Sequence, residues 1–132
     1  MSSDMKRKKL SEAELEIMIE LWGEGKPTTS TCLLRLLSDK RSWRLATLQT
    51  VLSRLEEKGY LFCDRSAKAN LYSPLVDEKS YKEQASRHFL KKMHRNSISS
   101  LVASLYDGGA ISNDDLDELK KFIQKTETNE RS

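Results

Sequence analysis

Trp43-Arg44-Leu45-Ala46-Thr47-Leu48-Gln49-Thr50-Val51-Leu52-Ser53-Arg54-Leu55-Glu56-Glu57-Lys58-Gly59-Tyr60-Leu61 is the stretch that decides the fold. Leu48, Val51, Leu52 and Leu55 recur at i, i+3, i+4 and i+7, so a helix from about Leu45 to Lys58 is predicted, ended by Gly59. Its other face is short and polar: Ala46, Thr50 and Ser53 at the centre, flanked by Thr47, Gln49 and Arg54. A solvated face usually carries Glu and Lys, and here they are held back to Glu56-Glu57-Lys58. Small side chains let a helix approach base edges closely in the major groove of DNA. There Gln49 suits adenine, a Thr methyl suits thymine, and Arg54 reaches phosphate or guanine. Arg44 is a poor cap but suits a phosphate at the helix entrance.

Upstream, Ser11 and Glu14 form a capping-box pattern, and Leu15, Met18 and Trp22 with Ile17 and Leu21 make a broad apolar face that Gly23 and Gly25 end. Pro27-Thr28-Thr29 opens a second helix, with Thr28 as its expected cap and Leu33, Leu36 and Leu37 inward. Downstream, Tyr60-Leu61-Phe62-Cys63 reads as a strand and Leu71-Tyr72-Ser73 as its return, stopped by Pro74. Arg65 and Lys68 on the polar tip between them could straddle a phosphate backbone. Three short helices followed by a hairpin is the order of a winged helix-turn-helix.

Beyond Val76 the pattern is helical throughout. Tyr81, Ala85, Phe89 and Met93, with Leu90 beside them, mark a helix from about Glu78 to Arg95. Ile98, Leu101, Val102 and Leu105 mark a shorter one. Ser112 caps a last helix with Leu116, Leu119, Phe122 and Ile123, and the polar stretch after Lys125 is expected to fray. Such thin helices make a poor core alone, so a second copy of the chain is expected to complete it, rather than the winged helix covering them. The expected organisation is a basic flexible arm over 1–9, a winged helix-turn-helix over 10–76, a three-helix dimerisation region over 77–126 and a flexible tail over 127–132. The fold class is mainly α with a small β-hairpin.

The chain has 132 residues, formal net charge +3 and mean hydropathy −0.65. The charge is unevenly placed: 13 Lys+Arg against 10 Asp+Glu up to Val76, then 10 against 10. Arg35 to Lys68 alone holds 8 basic and 4 acidic residues. That bias suits a nucleic-acid partner. No run approaches the ~20 apolar residues of a membrane span, and the polar start ending Lys6-Arg7-Lys8-Lys9 lacks a signal-peptide core, so no membrane insertion and a cytoplasmic location are expected. Cys32 and Cys63 are read as free thiols, one buried and one on a strand. No nucleophile elbow, zinc-protease motif, P-loop or dinucleotide fingerprint is present, and His88 and His94 are poorly spaced for one metal. Neither an enzyme, a metal site nor a cofactor is expected.

The stretch from Trp43 to Leu61, with Leu10-Ser11-Glu12-Ala13-Glu14, Trp22, Tyr72-Ser73-Pro74-Leu75-Val76 and Leu116-Asp117-Glu118-Leu119, resembles the penicillinase-repressor family (BlaI, MecI and, more distantly, CopY). The resemblance spans about Leu10 to Ile123. It implies a homodimeric repressor whose winged helices bind a palindromic operator and whose C-terminal helices make the dimer. Family DNA-contacting positions fall on Thr47, Gln49, Thr50 and Arg54, with Gln49 standing where relatives often carry Arg or Lys and Ala46 where they often carry Lys. In the β-lactam branch a membrane sensor-protease pathway triggers cleavage of an Asn-Phe bond in the dimerisation region. Ser104-Leu105 stands there in this chain, so that bond is not preserved. The copper branch has a C-terminal cysteine motif, and no cysteine follows Cys63. The expected function is repression of a resistance or stress-response operon, with a winged-helix module for protein–protein contact as the alternative.

Overall fold

The computed structural model describes residues 9–131. In order it has α1 (Glu12–Glu24), α2 (Ser30–Leu36), α3 (Leu45–Glu57), β1 (Leu61–Asp64), β2 (Leu71–Pro74), α4 (Glu78–His94), α5 (Ile98–Asp107) and α6 (Asn113–Arg131). The described residues divide into two compact units, one up to Gln84 and one from Ala85. The expected arm over 1–9 lies outside the described residues except for Lys9.

In the first unit each helix starts and stops for a local reason. Ser11 caps α1 by accepting the Glu14 N–H at 3.2 Å, while the Glu14 carboxylate accepts the Ser11 N–H at 2.8 Å. Gly25 ends α1 in the left-handed region at φ 68°, which costs glycine nothing. Thr29, not Thr28, caps α2, accepting the Cys32 N–H at 3.2 Å. Thr28 is used elsewhere: its backbone exchanges hydrogen bonds with Tyr72 at 3.0 and 2.9 Å and adds a bridge to the hairpin. The strands pair antiparallel with Leu61 opposite Pro74 and Cys63 opposite Tyr72.

Leu48, Val51, Leu52 and Leu55 of α3 are buried against Ile17, Met18, Leu21, Leu33 and Leu37, closed below by Leu61, Cys63 and Tyr72. Both cysteines are free, Cys63 buried and Cys32 half-buried. The unit extends past Val76 because of three aromatic rings. Trp22 Nε1 donates to the Val76 carbonyl at 2.8 Å, and Tyr81 packs its ring 5.6 Å from Trp22 and 6.2 Å from Tyr60. The first turns of α4 therefore belong to the winged-helix unit, not to the dimerisation region expected from residue 77.

A second tie joins the two ends of the core. Glu14 is 4% exposed, and its carboxylate meets Lys58 Nζ at 2.6 Å, while Lys58 also donates to the Lys9 carbonyl at 3.3 Å. Burial pushes the Glu14 carboxyl up, but the Lys58 hydrogen bond and charge and the Ser11 donors outweigh it and hold the group below its ordinary value of 4.5. A carboxylate whose folded pKa is depressed stabilises the fold above its unfolded pKa and loses that contribution as pH falls through the folded value. Glu14→Gln is therefore expected to cost about 1–3 kcal/mol near neutral pH. The difference from wild type should shrink on acidification below pH 4.5, which denaturant melts at two pH values would check. An equal difference at both would contradict the ion pair's role.

In the second unit, Ser97 caps α5 through the Ser100 N–H at 3.0 Å. Ser112 and Asp115 exchange reciprocal bonds at the start of α6, with Asp114 and Asp115 favouring its dipole. α6 continues to Arg131, so the backbone expected to fray after Lys125 is helical. Arg95 and Asn96 make the α4–α5 turn at φ 50° and 67°. His94 Nδ1 lies 2.9 Å from Ser100 Oγ. Among the described residues no side chain after Val76 is buried. Among the described residues no helix is long and apolar enough to cross a membrane.

Candidate nucleic-acid interface

With its four apolar side chains inward, α3 has one outward face left. Arg44, Ala46, Thr47, Gln49, Thr50, Ser53 and Arg54 are all exposed on it or at its entrance. Thr50 Oγ1 donates back to the Ala46 carbonyl at 3.0 Å, so its hydroxyl hydrogen is engaged and its methyl and lone pairs remain for a partner. The side chains of Thr47, Gln49 and Ser53 are not engaged in hydrogen bonds among the described residues.

The start of α3 is electrostatically open. Arg44 occupies the N-cap position and makes no side-chain capping bond, and no acidic residue lies in the first turn. The first N–H groups of the helix therefore lack a side-chain cap and keep their partial positive charge, an arrangement that favours an anion such as phosphate.

The structure sorts the eight basic residues of the Arg35–Lys68 window into two sets. Lys40 pairs with Glu20 at 3.1 Å, Arg41 with Glu16 at 2.7 Å, Lys58 with Glu14 at 2.6 Å and Arg65 with Glu56 at 2.8 Å. Arg41 also lies 5.6 Å over the Trp43 ring. These cations pin the turn before α3, the core and the hairpin. Arg35, Arg44, Arg54 and Lys68 are exposed and carry no ion pair among the described residues. Arg65, expected as a phosphate contact, joins the end of β1 to the last turn of α3 through Glu56, and Lys68, expected as another, is open on the wing tip. Arg35 lies in the last turn of α2.

The remaining sequence-predicted residues lie on α4, α5 and α6. Phe89, Met93, Ile98, Leu105, Leu119, Phe122 and Ile123 are exposed, at 37–66% of their surface, and Leu90, Leu101, Val102 and Leu116 are half-buried. Ser104 and Leu105 lie inside α5. Among the described residues no group of His, Cys, Asp and Glu is placed to hold a metal ion.

The sequence pattern of the penicillinase repressor family matches residues 10–125. The chain belongs to the penicillinase-repressor family. It is 29% identical over 116 residues to the penicillinase repressor of Bacillus licheniformis, an alignment covering 88% of this chain and 90% of that one. It is 28% identical over 122 residues to the methicillin resistance regulatory protein MecI of Mammaliicoccus sciuri, covering 92% of this chain and 98% of that one. Among solved structures, the DNA-binding domain of the repressor BlaI is 33% identical with a TM-score of 0.48, covering 55% of this chain and 88% of that one. In this penicillinase-repressor family member α3 is not uniformly basic. Its outward face is neutral at Ala46, Thr47, Gln49, Thr50 and Ser53, with cations only at the entrance and at Arg54.

Proposed function

We propose that this family member is a homodimeric repressor that binds a palindromic operator in double-stranded DNA and controls a resistance or stress-response operon. The observation that carries the reading is the outward face of α3: small polar side chains, an uncapped helix start, and open cations at Arg44, Arg54 and Lys68. Thr47, Gln49, Thr50 and Ser53 read base edges, with Ala46 permitting close approach. Arg44 and Lys68 hold phosphates, and Arg54 reaches phosphate or guanine.

The dimer is supported by the second unit, where apolar side chains line α4, α5 and α6 and none is buried. Helices this exposed lack a core of their own, and a second copy supplies one. Relief by proteolysis within a membrane sensor-protease pathway, as in a β-lactam response, would act at Ser104-Leu105. The Ser104 carbonyl accepts the Gly108 N–H at 3.1 Å within the helix, so cleavage there requires α5 to open locally.

Selection from a randomised duplex pool tests the function. It is expected to enrich an inverted repeat, and Gln49→Ala should then relax preference at one base per half-site at a cost of about 1–3 kcal/mol. Equal loss on every sequence would remove Gln49 from the base readers. A pool with no enriched sequence would favour a protein–protein module instead.

A further inference from the structure

Arg65 sits where the hairpin leaves β1, and its guanidinium grips one carboxylate with both prongs. Nη1 donates to Glu56 Oε2 at 3.0 Å and Nη2 to Glu56 Oε1 at 2.8 Å, with a longer bond from Nη1 to the Cys63 carbonyl at 3.4 Å. Its neighbour Asp64 is engaged with Ser66, accepting from the Ser66 N–H at 2.9 Å and the hydroxyl at 2.6 Å, so it does not compete for the guanidinium. The Arg65 hydrogen bond holds the Glu56 carboxyl below its ordinary value, and the same bond pushes Arg65 upward. An exposed ion pair is usually weak, but a bidentate arginine–carboxylate pair is the geometry that persists.

Glu56 lies seven positions after Gln49 and so shares its flank of α3. Transfer of Arg65 to a DNA phosphate would leave a bare carboxylate on the flank that faces the nucleic acid, where it is repelled. Resting on the DNA-binding reading above, we propose that Glu56 is a positioning residue that limits the electrostatic hold on DNA: by holding Arg65 it withdraws one cation per protomer from the phosphate contacts. Phosphate contacts add affinity for every sequence alike, so withdrawing one lowers binding to all duplexes, makes it less salt-dependent and leaves base reading intact.

The test measures binding of the full chain to a shuffled duplex across a salt series, for wild type, Glu56→Gln, Arg65→Ala, the double variant and Glu57→Gln. Glu56→Gln is expected to steepen the log–log salt slope by about 0.9 per protomer, so a dimer loses roughly tenfold more affinity than wild type between about 50 and 200 mM salt. Arg65→Ala, the double variant and Glu57→Gln are expected to keep the wild-type slope. The inference is overturned by a wild-type slope in Glu56→Gln or by a shallower slope in Arg65→Ala, which would mean Arg65 already sits on phosphate. It is equally overturned if the double variant or Glu57→Gln steepens the slope as Glu56→Gln does, since removal of any carboxylate would then suffice. Wild-type protein that binds no duplex at any salt overturns the DNA-binding reading itself, a result distinct from all of these.

Discussion

Leu101→Asp combined with Leu105→Asp is expected to make the protein monomeric in sedimentation and to weaken its hold on a duplex with two half-sites by roughly a hundred- to ten-thousand-fold. That range is what linking two binding modules contributes over either alone. Leu101 and Leu105 lie on α5 at i and i+4, on one face with Ile98 and Val102. Leu101 is half-buried and Leu105 is 38% exposed, so carboxylates there meet little resistance in a lone chain and a large desolvation cost in a dimer core. Both residues lie in the second unit, outside the winged helix. Binding to a duplex carrying one half-site should therefore be nearly unchanged. A dimer that survives both substitutions would place the interface away from α5.

Leu52→Ala is expected to destabilise the winged-helix unit by about 2–5 kcal/mol, the usual cost of a cavity left by a buried leucine. Leu52 is 0% exposed and lies in the stripe that holds α3 on α1 and α2. A domain's total stability is only ~5–15 kcal/mol, so the loss should shift the denaturant midpoint strongly and reduce the folded, DNA-competent population. Ser53→Ala, one residue along but on the outward face, should stay within about 0.5 kcal/mol of wild type. An unchanged midpoint for Leu52→Ala would show that α3 is not held through this stripe.

The contrast between Leu52 and Ser53 also shows what was legible in the sequence. A helical period and a short polar face are local patterns, so the burial of Leu48, Val51, Leu52 and Leu55 and the order of helices and hairpin could be read directly. Contacts between distant residues leave no such period. Nothing local marks Lys58 as the partner of Glu14, or Glu56 as the partner of Arg65: the pattern around Glu14 shows half of a capping box, and that around Arg65 shows a cation on a polar tip. Thr28 looked like a cap because Thr28 and Thr29 are chemically alike, and only the hairpin's return past Tyr72 separates their roles. Tyr81 fitted the apolar period of α4, yet its ring belongs with Trp22 and Tyr60, which moves the unit boundary to Gln84. The charge excess was legible as a count. Which cations remain open depends on the α1 carboxylates Glu14, Glu16 and Glu20, which lie outside the basic window.

The reading helix and its open cations are tested most directly by titrating the full chain into a selected inverted-repeat duplex and into a shuffled duplex of equal composition, at two salt concentrations. The expected result is a preference of at least about a thousandfold for the inverted repeat, with affinity for both duplexes falling steeply as salt rises. Equal affinity for the two duplexes, or binding indifferent to salt, would contradict it.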